Sequence, residues 1–266
     1  MLNLGKGPAV HSLRAQADRR KYQEDMKRVL ERQEHLDLKQ AMVVSVGLTD
    51  GHISSVTTRL GAVYEVKAVV IASGTYLDAR VITGECAYSS GPDGMQAGIG
   101  LTECLKAFGL RMRRFKTGTP PRINRRSVDV SKMELQPGDE QPVPFSFSTT
   151  EAVQNQAVCY LTYTNEETHR IIRENFARSP LFNGMIESVG PRYCPSIETK
   201  IDRFPDKPRH QLFVEPCGLG TDELYIQGLS SSLPEDVQIA MVHTIAGLEH
   251  AEMMRPAYAI EYECID

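Results

Sequence analysis

A chain of 266 residues with 41% hydrophobic and 24% charged residues has the composition of a globular protein and is long enough for two domains. A net charge of −4 excludes a protein that is basic overall, and the longest apolar run, residues 68–72, is too short to cross a bilayer. The N-terminus has no signal-peptide pattern, and the six cysteines form no CxxC and no zinc-spaced cluster with histidine. We therefore expect a cytoplasmic protein with reduced thiols, no metal site and no membrane partner.

The first part of the chain predicts a helix followed by a β-meander. Apolar residues recur on one face of residues 13–33, which indicates an amphipathic helix. Residues 38–48 are typical of a strand, residues 49–51 supply a tight turn, and residues 52–59 and 62–67 complete an antiparallel meander.

The apolar run at residues 68–72 predicts a strand buried on both faces, and Ser73, Gly74 and Thr75 follow it directly. This order is typical of the later half of a dinucleotide-binding flavoprotein domain, where a Ser-Gly turn lets the backbone approach a cofactor. Any α/β sheet with a glycine-terminated strand would show the same order. The chain has no GxGxxG, and its nearest approach at residues 98–100 follows no predicted strand, so we expect no pyrophosphate loop here.

A basic stretch follows a short predicted helix over residues 101–108, which Gly109 ends. Residues 111–126 hold seven Lys and Arg and no acid, around a segment predicted to be a proline-stiffened loop that could hold a phosphate or a ring edge. That loop consists of Thr117, Gly118, Thr119, Pro120 and Pro121. A solvated charged face is the alternative, but the charge density favours contact with an anion or a nucleic acid. The candidate nucleic-acid contacts are Arg113, Arg114, Lys116, Arg122, Arg125 and Arg126.

The second half of the chain reads as another α/β unit beyond a Pro- and Gly-rich linker at residues 131–148. Residues 158–164, 210–216 and 223–226 are predicted strands. Capping boxes from Thr164 and from Ser232 predict helices over residues 166–177 and 235–248. We expect His169 to lie on the surface of the first helix. The buried stripe of the second helix is predicted to be Val237, Met241, Ile245 and Leu248. Residues 258–264 alternate apolar and polar, which predicts a strand that returns to the first domain.

Residues 190–204 carry the most conspicuous thiol of the chain. Pro191 and Pro195 bracket Cys194 and predict a stiff loop, and Arg192, Lys200 and Arg203 lie close in sequence. Nearby cations lower the pKa of a thiol, so this pattern favours a reactive cysteine over the alternative of a buried packing residue.

Seven segments together carry a resemblance to a known family. They read GKGPAV and LRAQADR within residues 5–19, VVIASGTYLD at 69–78, RFKTGTPPRI at 114–123, GPRYCPSIETKIDRF at 190–204, HQLFVEP at 210–216, SSSLPEDVQ at 230–238 and RPAYAIEY at 255–262. The chain resembles the MnmG (GidA) family, the flavoprotein subunit of the tRNA wobble-uridine 5-carboxymethylaminomethyl modification enzyme.

The resemblance implies FAD bound in a Rossmann-like domain, NADH as its reductant and methylenetetrahydrofolate as the one-carbon donor. It also implies tRNA as substrate, the GTPase MnmE as partner, and a homodimer of the full-length protein. The family's glycine fingerprint and a second essential cysteine would lie before Met1, and a helical region would follow Asp266, so we expect a fragment of a longer enzyme that is inactive by itself.

The resemblance also implies the binding residues. Val43 falls where the family contacts flavin, a second flavin position falls near Gly98 with a weak match, and Cys194 matches a functional cysteine. The expected flavin side further includes Ser73, Gly74, Thr75, Thr117, Gly118, Thr119 and Pro120. The matching NAD segment consists of Gly190, Pro191, Arg192, Tyr193, Cys194, Pro195, Ser196, Ile197, Glu198, Thr199, Lys200, Ile201, Asp202, Arg203 and Phe204.

The expected fold class is α/β, with a partial FAD/NAD(P)-binding Rossmann-like domain with a β-meander plus an inserted α/β domain. We place the partial FAD domain at residues 1–120, the inserted NAD-binding or substrate domain at 121–257, and the returning strand at 258–266. Two alternatives stay open: a folate- and FAD-dependent tRNA uridine methyltransferase, and, for this chain alone, a non-catalytic nucleotide- or RNA-binding module.

Overall fold

The computed structural model describes residues 1–188, 190 and 196–266. The helices of this part are α1 (Arg19–Glu31), α2 (Leu101–Ala107), α3 (Glu166–Glu174), α4 (Ile197–Arg203) and α5 (Glu235–His243). The strands are β1 (Val43–Thr49), β2 (His52–Thr58), β3 (Val63–Glu65), β4 (Arg80–Thr83), β5 (Cys86–Ser89), β6 (Met112–Thr119), β7 (Arg122–Asn124), β8 (Glu134–Gln136), β9 (Cys159–Tyr163), β10 (Gln211–Pro216), β11 (Glu223–Gln227), β12 (Met253–Arg255) and β13 (Tyr258–Ile265). None of the described helices combines the length and the apolarity that crossing a bilayer requires.

The predicted meander is present as a three-stranded antiparallel sheet in the order β1-β2-β3. Its first turn has only two residues, Asp50 and Gly51, between the paired Thr49 and His52. Both turn residues have positive φ, 50° and 78°, which is the backbone that a two-residue hairpin of this hand requires. The Asp-Gly pair therefore sets the register of the hairpin.

A four-stranded sheet in the order β5-β4-β13-β6 joins the end of the chain to its first half. The pairing of β13 with β6 is continuous from Tyr258 opposite Thr119 to Ile265 opposite Met112. The prediction of a loop over Thr117–Thr119 is therefore wrong, because these residues are the end of β6. The partner strand lies more than a hundred positions away in sequence, where local propensity carries no signal for it.

A six-stranded antiparallel sheet in the order β12-β7-β11-β10-β9-β8 forms the second unit. One face packs against α3, α4 and α5 around Leu212, Ile226 and Met241, each with no exposed surface. The stripe predicted for the last helix is confirmed, since Val237, Met241, Ile245 and Leu248 are all buried. The helix itself ends at His243, so the last two stripe residues pack from the turns that follow it.

Within the described residues, two short segments connect a strand of one sheet directly to a strand of the other. Pro120 and Pro121 separate β6 of the four-stranded sheet from β7 of the six-stranded sheet. The return lies between Arg255 and Tyr258, which separates β12 from β13. The domain boundaries given above stay a prediction, although each crossing lies close to one of them.

The apolar run at residues 68–72 is not a strand, which corrects the prediction of a segment buried on both faces. Val70 keeps 91% of its surface exposed. A strand buried on both faces needs neighbouring strands and covering layers, and none of the described strands lies beside this run.

One helix start and two helix caps differ from their predictions. Residues 13–18 are not helical, and α1 begins only after Asp18, whose carboxylate accepts hydrogen bonds from Arg20 N and Lys21 N at 3.1 and 3.0 Å. The N-cap of α3 is Asn165 rather than Thr164, and its capping box closes with Thr168. Pro234 precedes α5 without a side-chain cap, so the box predicted from Ser232 is absent.

His169 is buried, with 2% of its surface exposed, so its prediction as a surface residue is wrong. The hydroxyl of Thr164 lies 2.8 Å from His169 Nε2 and accepts a hydrogen bond from His210 N at 2.8 Å. The two imidazole rings are 5.3 Å apart between centroids. Burial lowers the pKa of both histidines, and the positive charge of Arg173 beside His169 acts in the same direction.

This histidine pair predicts a pH-dependent stability. Because both folded-state pKa values lie below the ordinary value of about 6.5, the unfolded chain binds more protons, and stability is lost as the pH falls through that value. We expect the free energy of unfolding, from urea titration, to fall between pH 7.5 and 5.5. His169→Gln should reduce this dependence, whereas His52→Gln at an exposed position should leave it unchanged. Equal pH dependence in the two variants would contradict the assignment.

Candidate functional site

The structure brings three of the predicted flavin-side segments together. Leu77, just after the Ser73–Thr75 turn, forms a parallel bridge with Gly98. Asp78 N donates to Gly98 O at 3.0 Å, and Gly98 N donates to Tyr76 O at 2.8 Å. The backbone around Gly98 thus lies beside the predicted Ser-Gly-Thr turn.

Close to Gly98, Gly100 lies against the start of β1, where Val43 lies. The Ser73–Thr75 turn, Gly98 and the start of β1 thus form one corner of the structure. Gly100 has a φ of +100°, and a Cβ added there would lie 3.3 Å from the Cβ of Val44. Any side chain at this position would press on β1, so the glycine permits the close approach. Gly98 therefore lies next to the predicted Ser-Gly-Thr turn, and its role toward flavin stays a prediction.

The basic stretch does not form one open patch, because acidic residues from distant parts of the chain pair with it. Arg113 lies 3.0 Å from Asp266, and Arg114 lies 3.4 Å from Glu263. Arg126 lies 3.5 Å from Asp222 and keeps 77% of its side chain exposed. Of the other predicted contacts, Lys116 is buried and Arg125 is exposed. Their role toward a nucleic acid stays a prediction.

Arg122 is 5% exposed and holds the crossing between the two sheets. Its guanidinium donates to Thr119 Oγ1 at 2.8 Å and to Pro120 O, and it stacks 4.5 Å from the ring centroid of Tyr225. Burial lowers the pKa of Arg122. Packing also favours a glycine at position 118, since a Cβ there would lie 3.2 Å from Tyr258 O. These contacts give the Gly-Thr-Pro segment a structural role beside its predicted flavin role.

An ion-pair network that the sequence does not indicate extends from Arg122. Glu223 lies 3.7 Å from Arg122 and 2.8 Å from Arg255, and Arg255 lies 3.2 Å from Asp93, which also pairs with Arg19. The network joins α1 and the 92–94 turn to the six-stranded sheet. Its members are scattered over most of the chain, so no local pattern could have identified it.

The thiol-bearing segment is described only in part. Pro191, Arg192, Tyr193, Cys194 and Pro195 lie outside the described residues. Gly190 and the residues from Ser196 onward are described.

The loop predicted over residues 190–204 is wrong for its second half, which forms α4. Ser196 is the N-cap, and its hydroxyl accepts a hydrogen bond from Thr199 N at 3.3 Å. A serine followed by residues with helical spacing was the signal that could have located this start.

Buried groups anchor α4 to residues 228–232. Glu198 has no exposed surface, and its Oε1 accepts hydrogen bonds from Ser231 Oγ and Ser232 N, both at 2.9 Å. Ile197 N donates to Ser230 O at 2.8 Å. The ammonium of Lys200 donates to Gly228 O at 3.1 Å, and burial lowers its pKa. Ile201 is buried as well, whereas Asp202, Arg203 and Phe204 are exposed.

A second buried glutamate anchors the chain on the other side of the undescribed residues. Glu261 Oε1 accepts hydrogen bonds from Ser188 N and Ser188 Oγ at 3.1 and 2.6 Å, and Oε2 accepts one from Arg80 Nε at 2.6 Å. Burial alone would raise the pKa of Glu261, but the hydrogen bonds from Ser188 and Arg80 outweigh it and hold the pKa below its ordinary value. Ser188 is thus fixed to the four-stranded sheet and Ser196 lies beside the six-stranded sheet. Cys194 and the other undescribed residues lie between these two anchors in the sequence.

The family described as glucose inhibited division protein A matches residues 1–266. The chain belongs to the GidA family. Among its relatives, the tRNA uridine 5-carboxymethylaminomethyl modification enzymes MnmG of Clostridium botulinum (strain Okra) and Caldicellulosiruptor saccharolyticus are each 58% identical over the whole chain. The chain spans 43% and 42% of these relatives, which is less than half of their length.

Two solved structures of the GidA family have the same fold. The form I crystal structure of Aquifex aeolicus GidA matches 99% of this chain and 45% of its own with a TM-score of 0.92 at 46% identity. The form II crystal structure matches all of this chain and 43% of its own with a TM-score of 0.90 at 44% identity. The predicted α/β fold class is therefore confirmed.

The anchor at Glu261 predicts a measurable stability effect. Glu261→Gln keeps the shape of the side chain but leaves the half-buried Arg80 without its counter-charge. We expect a loss of about 2 kcal/mol in the free energy of unfolding from urea titration. The matched control Glu103→Gln, at an exposed position on α2, should change it by less than about 0.5 kcal/mol. Similar losses in the two variants would rule out an anchoring role.

Proposed function

We propose that this chain is part of an enzyme that adds a carboxymethylaminomethyl or aminomethyl group to C5 of the wobble uridine in tRNA. The observation that carries the proposal is 58% identity over the whole chain to relatives named tRNA uridine 5-carboxymethylaminomethyl modification enzyme MnmG. The proposed reaction uses NADH-reduced FAD and methylenetetrahydrofolate, with the GTPase MnmE as partner. The proposed setting is the cytoplasm, with a homodimer of the longer enzyme.

The corner formed by Ser73–Thr75, Gly98 and the start of β1 at Val43 fits one part of a flavin site. Gly74 and Gly100 both have positive φ, and Gly100 has little room for a side chain beside Val44. Such glycines let backbone N–H groups approach a bound ring or phosphate closely. Flavin supplies hydride and electron transfer when it is bound. Because the chain spans less than half of its relatives, we assign to it one part of that site only.

We assign residues 190–204 to contacts with the nicotinamide dinucleotide, and Cys194 to chemistry on the substrate base. C5 of uracil becomes nucleophilic once a group adds to C6, and a thiolate is suited to that addition. Proton transfer is the other role that a thiol at this position could perform. Of the sequence-neighbouring cations, Lys200 donates to Gly228 O, so its charge is held next to that carbonyl.

The tRNA contact is proposed to rest on the exposed cations of the basic stretch. Arg113 keeps 55% of its side chain exposed, and Arg125 and Arg126 are exposed beside each other. Arg122 is buried and is not open to a phosphate in this structure. Exposed arginines bind phosphate bidentately, which supports this assignment.

A segment swap tests the proposed activity. We expect that a full-length Clostridium botulinum relative, with its matching segment replaced by these 266 residues, restores the carboxymethylaminomethyl or aminomethyl nucleoside in tRNA of a strain lacking the enzyme. The measurement is nucleoside mass spectrometry of digested tRNA. A 5-methyluridine product would instead support the methyltransferase. A properly folded, flavin-loaded swap without any product would support a binding module.

The same swap tests the thiol. Cys194→Ser should abolish the modified nucleoside and leave the flavin absorbance of the purified protein unchanged, because the thiol acts on the base and is not needed to hold flavin. Cys86→Ser, which changes an exposed cysteine on β5, is the matched control and should retain the product. Modification that persists in the Cys194→Ser protein would disprove the catalytic assignment.

A further inference from the structure

Asp93 lies in a tight turn between β5 and α2 and joins three other segments of the chain. Its carboxylate pairs through Oδ1 with Arg255 on β12 at 3.2 Å, and through Oδ2 with Arg19 at the start of α1. Its backbone N–H donates to the hydroxyl of Tyr258 on β13 at 3.0 Å. A single aspartate therefore fastens the turn to α1, β12 and β13.

The conformation of the turn explains an aspartate or an asparagine at position 93, but it does not explain the charge. Asp93 has a φ of 55°, in the left-handed region where Asp and Asn are the best tolerated residues other than glycine. The backbone closes on itself, since Gly91 N donates to Met95 O at 2.7 Å and Met95 N donates to Pro92 O at 3.1 Å. An asparagine would meet both requirements, so the negative charge serves the contacts with the two arginines.

The ring of Tyr76 lies between this turn and the Ser73–Thr75 turn. A Cβ on Gly91 would lie 2.6 Å from Cδ1 of the ring, and a Cβ on Gly74 would lie 3.7 Å from Cδ2 on its other edge. The contact at Gly91 is so close that the turn cannot move toward the ring without displacing it. Tyr76 O also accepts a hydrogen bond from Gly98 N at 2.8 Å. A displacement of the turn at residues 91–96 therefore reaches both the Ser73–Thr75 turn and Gly98.

The two ion pairs of Asp93 are only partly shielded from solvent. The exposed fraction of the side chain is 23% for Asp93, 45% for Arg255 and 59% for Arg19. Pairs of this exposure contribute little to the stability of a whole fold and are weakened by salt. Arg255 also keeps Glu223 as a second partner at 2.8 Å, so loss of the Asp93 charge would not leave it unpaired. The effect of the charge should therefore fall on the position of the turn and not on unfolding of the whole chain.

We propose that Asp93 is a positioning residue for the corner that Gly98 shares with the start of β1. Its charge holds the turn at residues 91–96 against α1, β12 and β13, and the ring of Tyr76 transmits this position to the corner. The inference rests on the proposed function only where it treats the corner as part of a flavin site. The exchange measurement below needs neither flavin nor tRNA, so its failure and the failure of the proposed function are separate outcomes.

Hydrogen–deuterium exchange of the purified 266-residue chain tests the positioning through Asp93→Asn, which keeps the shape and the φ preference and removes the charge. We expect the amides of residues 90–98 and 74–79 to exchange about tenfold faster than in the parent chain, because the turn is no longer held. The amides of α5 should exchange as in the parent, which separates a local effect from a loss of overall stability.

Asp50→Asn is the matched control for this substitution. Asp50 also has a positive φ, 50°, in an exposed turn, and it pairs with no cation in the part of the chain that the structure describes. We expect this variant to exchange like the parent at residues 90–98. Parent-like exchange there in Asp93→Asn, the same increase in Asp50→Asn, or an equal increase in α5 would each overturn the proposal.

The salt dependence of exchange shows whether the charge is responsible. Raising the salt concentration from about 0.05 M to about 1 M should bring the exchange of residues 90–98 in the parent close to that in Asp93→Asn, because salt screens partly exposed ion pairs. Asp93→Asn itself should respond less to salt. An equal response of the two proteins would show that the carboxylate charge does not hold the turn.

The same substitution in the segment swap tests the consequence for the proposed flavin site. We expect the dissociation constant of flavin to be about fivefold higher for Asp93→Asn than for the parent swap, because the binding-competent position of the corner is populated less. Asp50→Asn should match the parent swap. Unchanged flavin affinity together with faster exchange would disprove positioning toward flavin. A parent swap that holds no flavin would contradict the proposed function instead, and the exchange measurement would still decide the role of Asp93.

Discussion

Eight consecutive rungs of backbone pairing between β13 and β6 fasten the end of the described chain to its first half. β13 and the residue that follows it place three acidic side chains next to groups from earlier parts of the chain. Glu261 accepts hydrogen bonds from Ser188, Glu263 lies beside Arg114, and Asp266 lies beside Arg113. Without β13, Arg114 would lose the carboxylate of Glu263, and Ser188 would lose its anchor. The same pairing converts a segment that looks like a proline-stiffened loop into an interior strand.

The two faces of the six-stranded sheet differ in character: one is apolar and packed against helices, and the other is polar. One face packs Leu212 and Ile226 against three helices, and this burial of apolar surface provides most of its stability. The other face carries charged and amide side chains beneath residues 13–18 and lines a cavity of about 730 Å³. The buried Arg122 and Glu223 on that face join the ion-pair network to the crossing between the sheets.

Local patterns predicted the elements whose cause is local. The Asp50-Gly51 turn, the strands of the second unit and the buried stripe of α5 follow from turn chemistry and periodicity. Sequence patterns failed where contacts with residues distant in the chain decide whether a segment forms a strand or a side chain is buried. Residues 68–72 have the composition of a buried strand but no strand beside them among the described residues, and His169 is buried because Thr164 and His210 pack around it. The two prolines around Cys194 indicate a loop, but the loop ends at Ser196, whose hydroxyl caps α4.

The sequence by itself determined the family, since long motifs such as GPRYCPSIETKIDRF and RFKTGTPPRI depend only on residue order. It also identified Cys194 as the conspicuous thiol. Only the tertiary structure decided which cations are open and which are paired, because Asp222, Glu263 and Asp266 are remote in sequence from the arginines they pair with. It alone revealed Glu198 and Glu261 as anchors. Charge pairing and burial act through space, and a residue pattern records only the order along the chain.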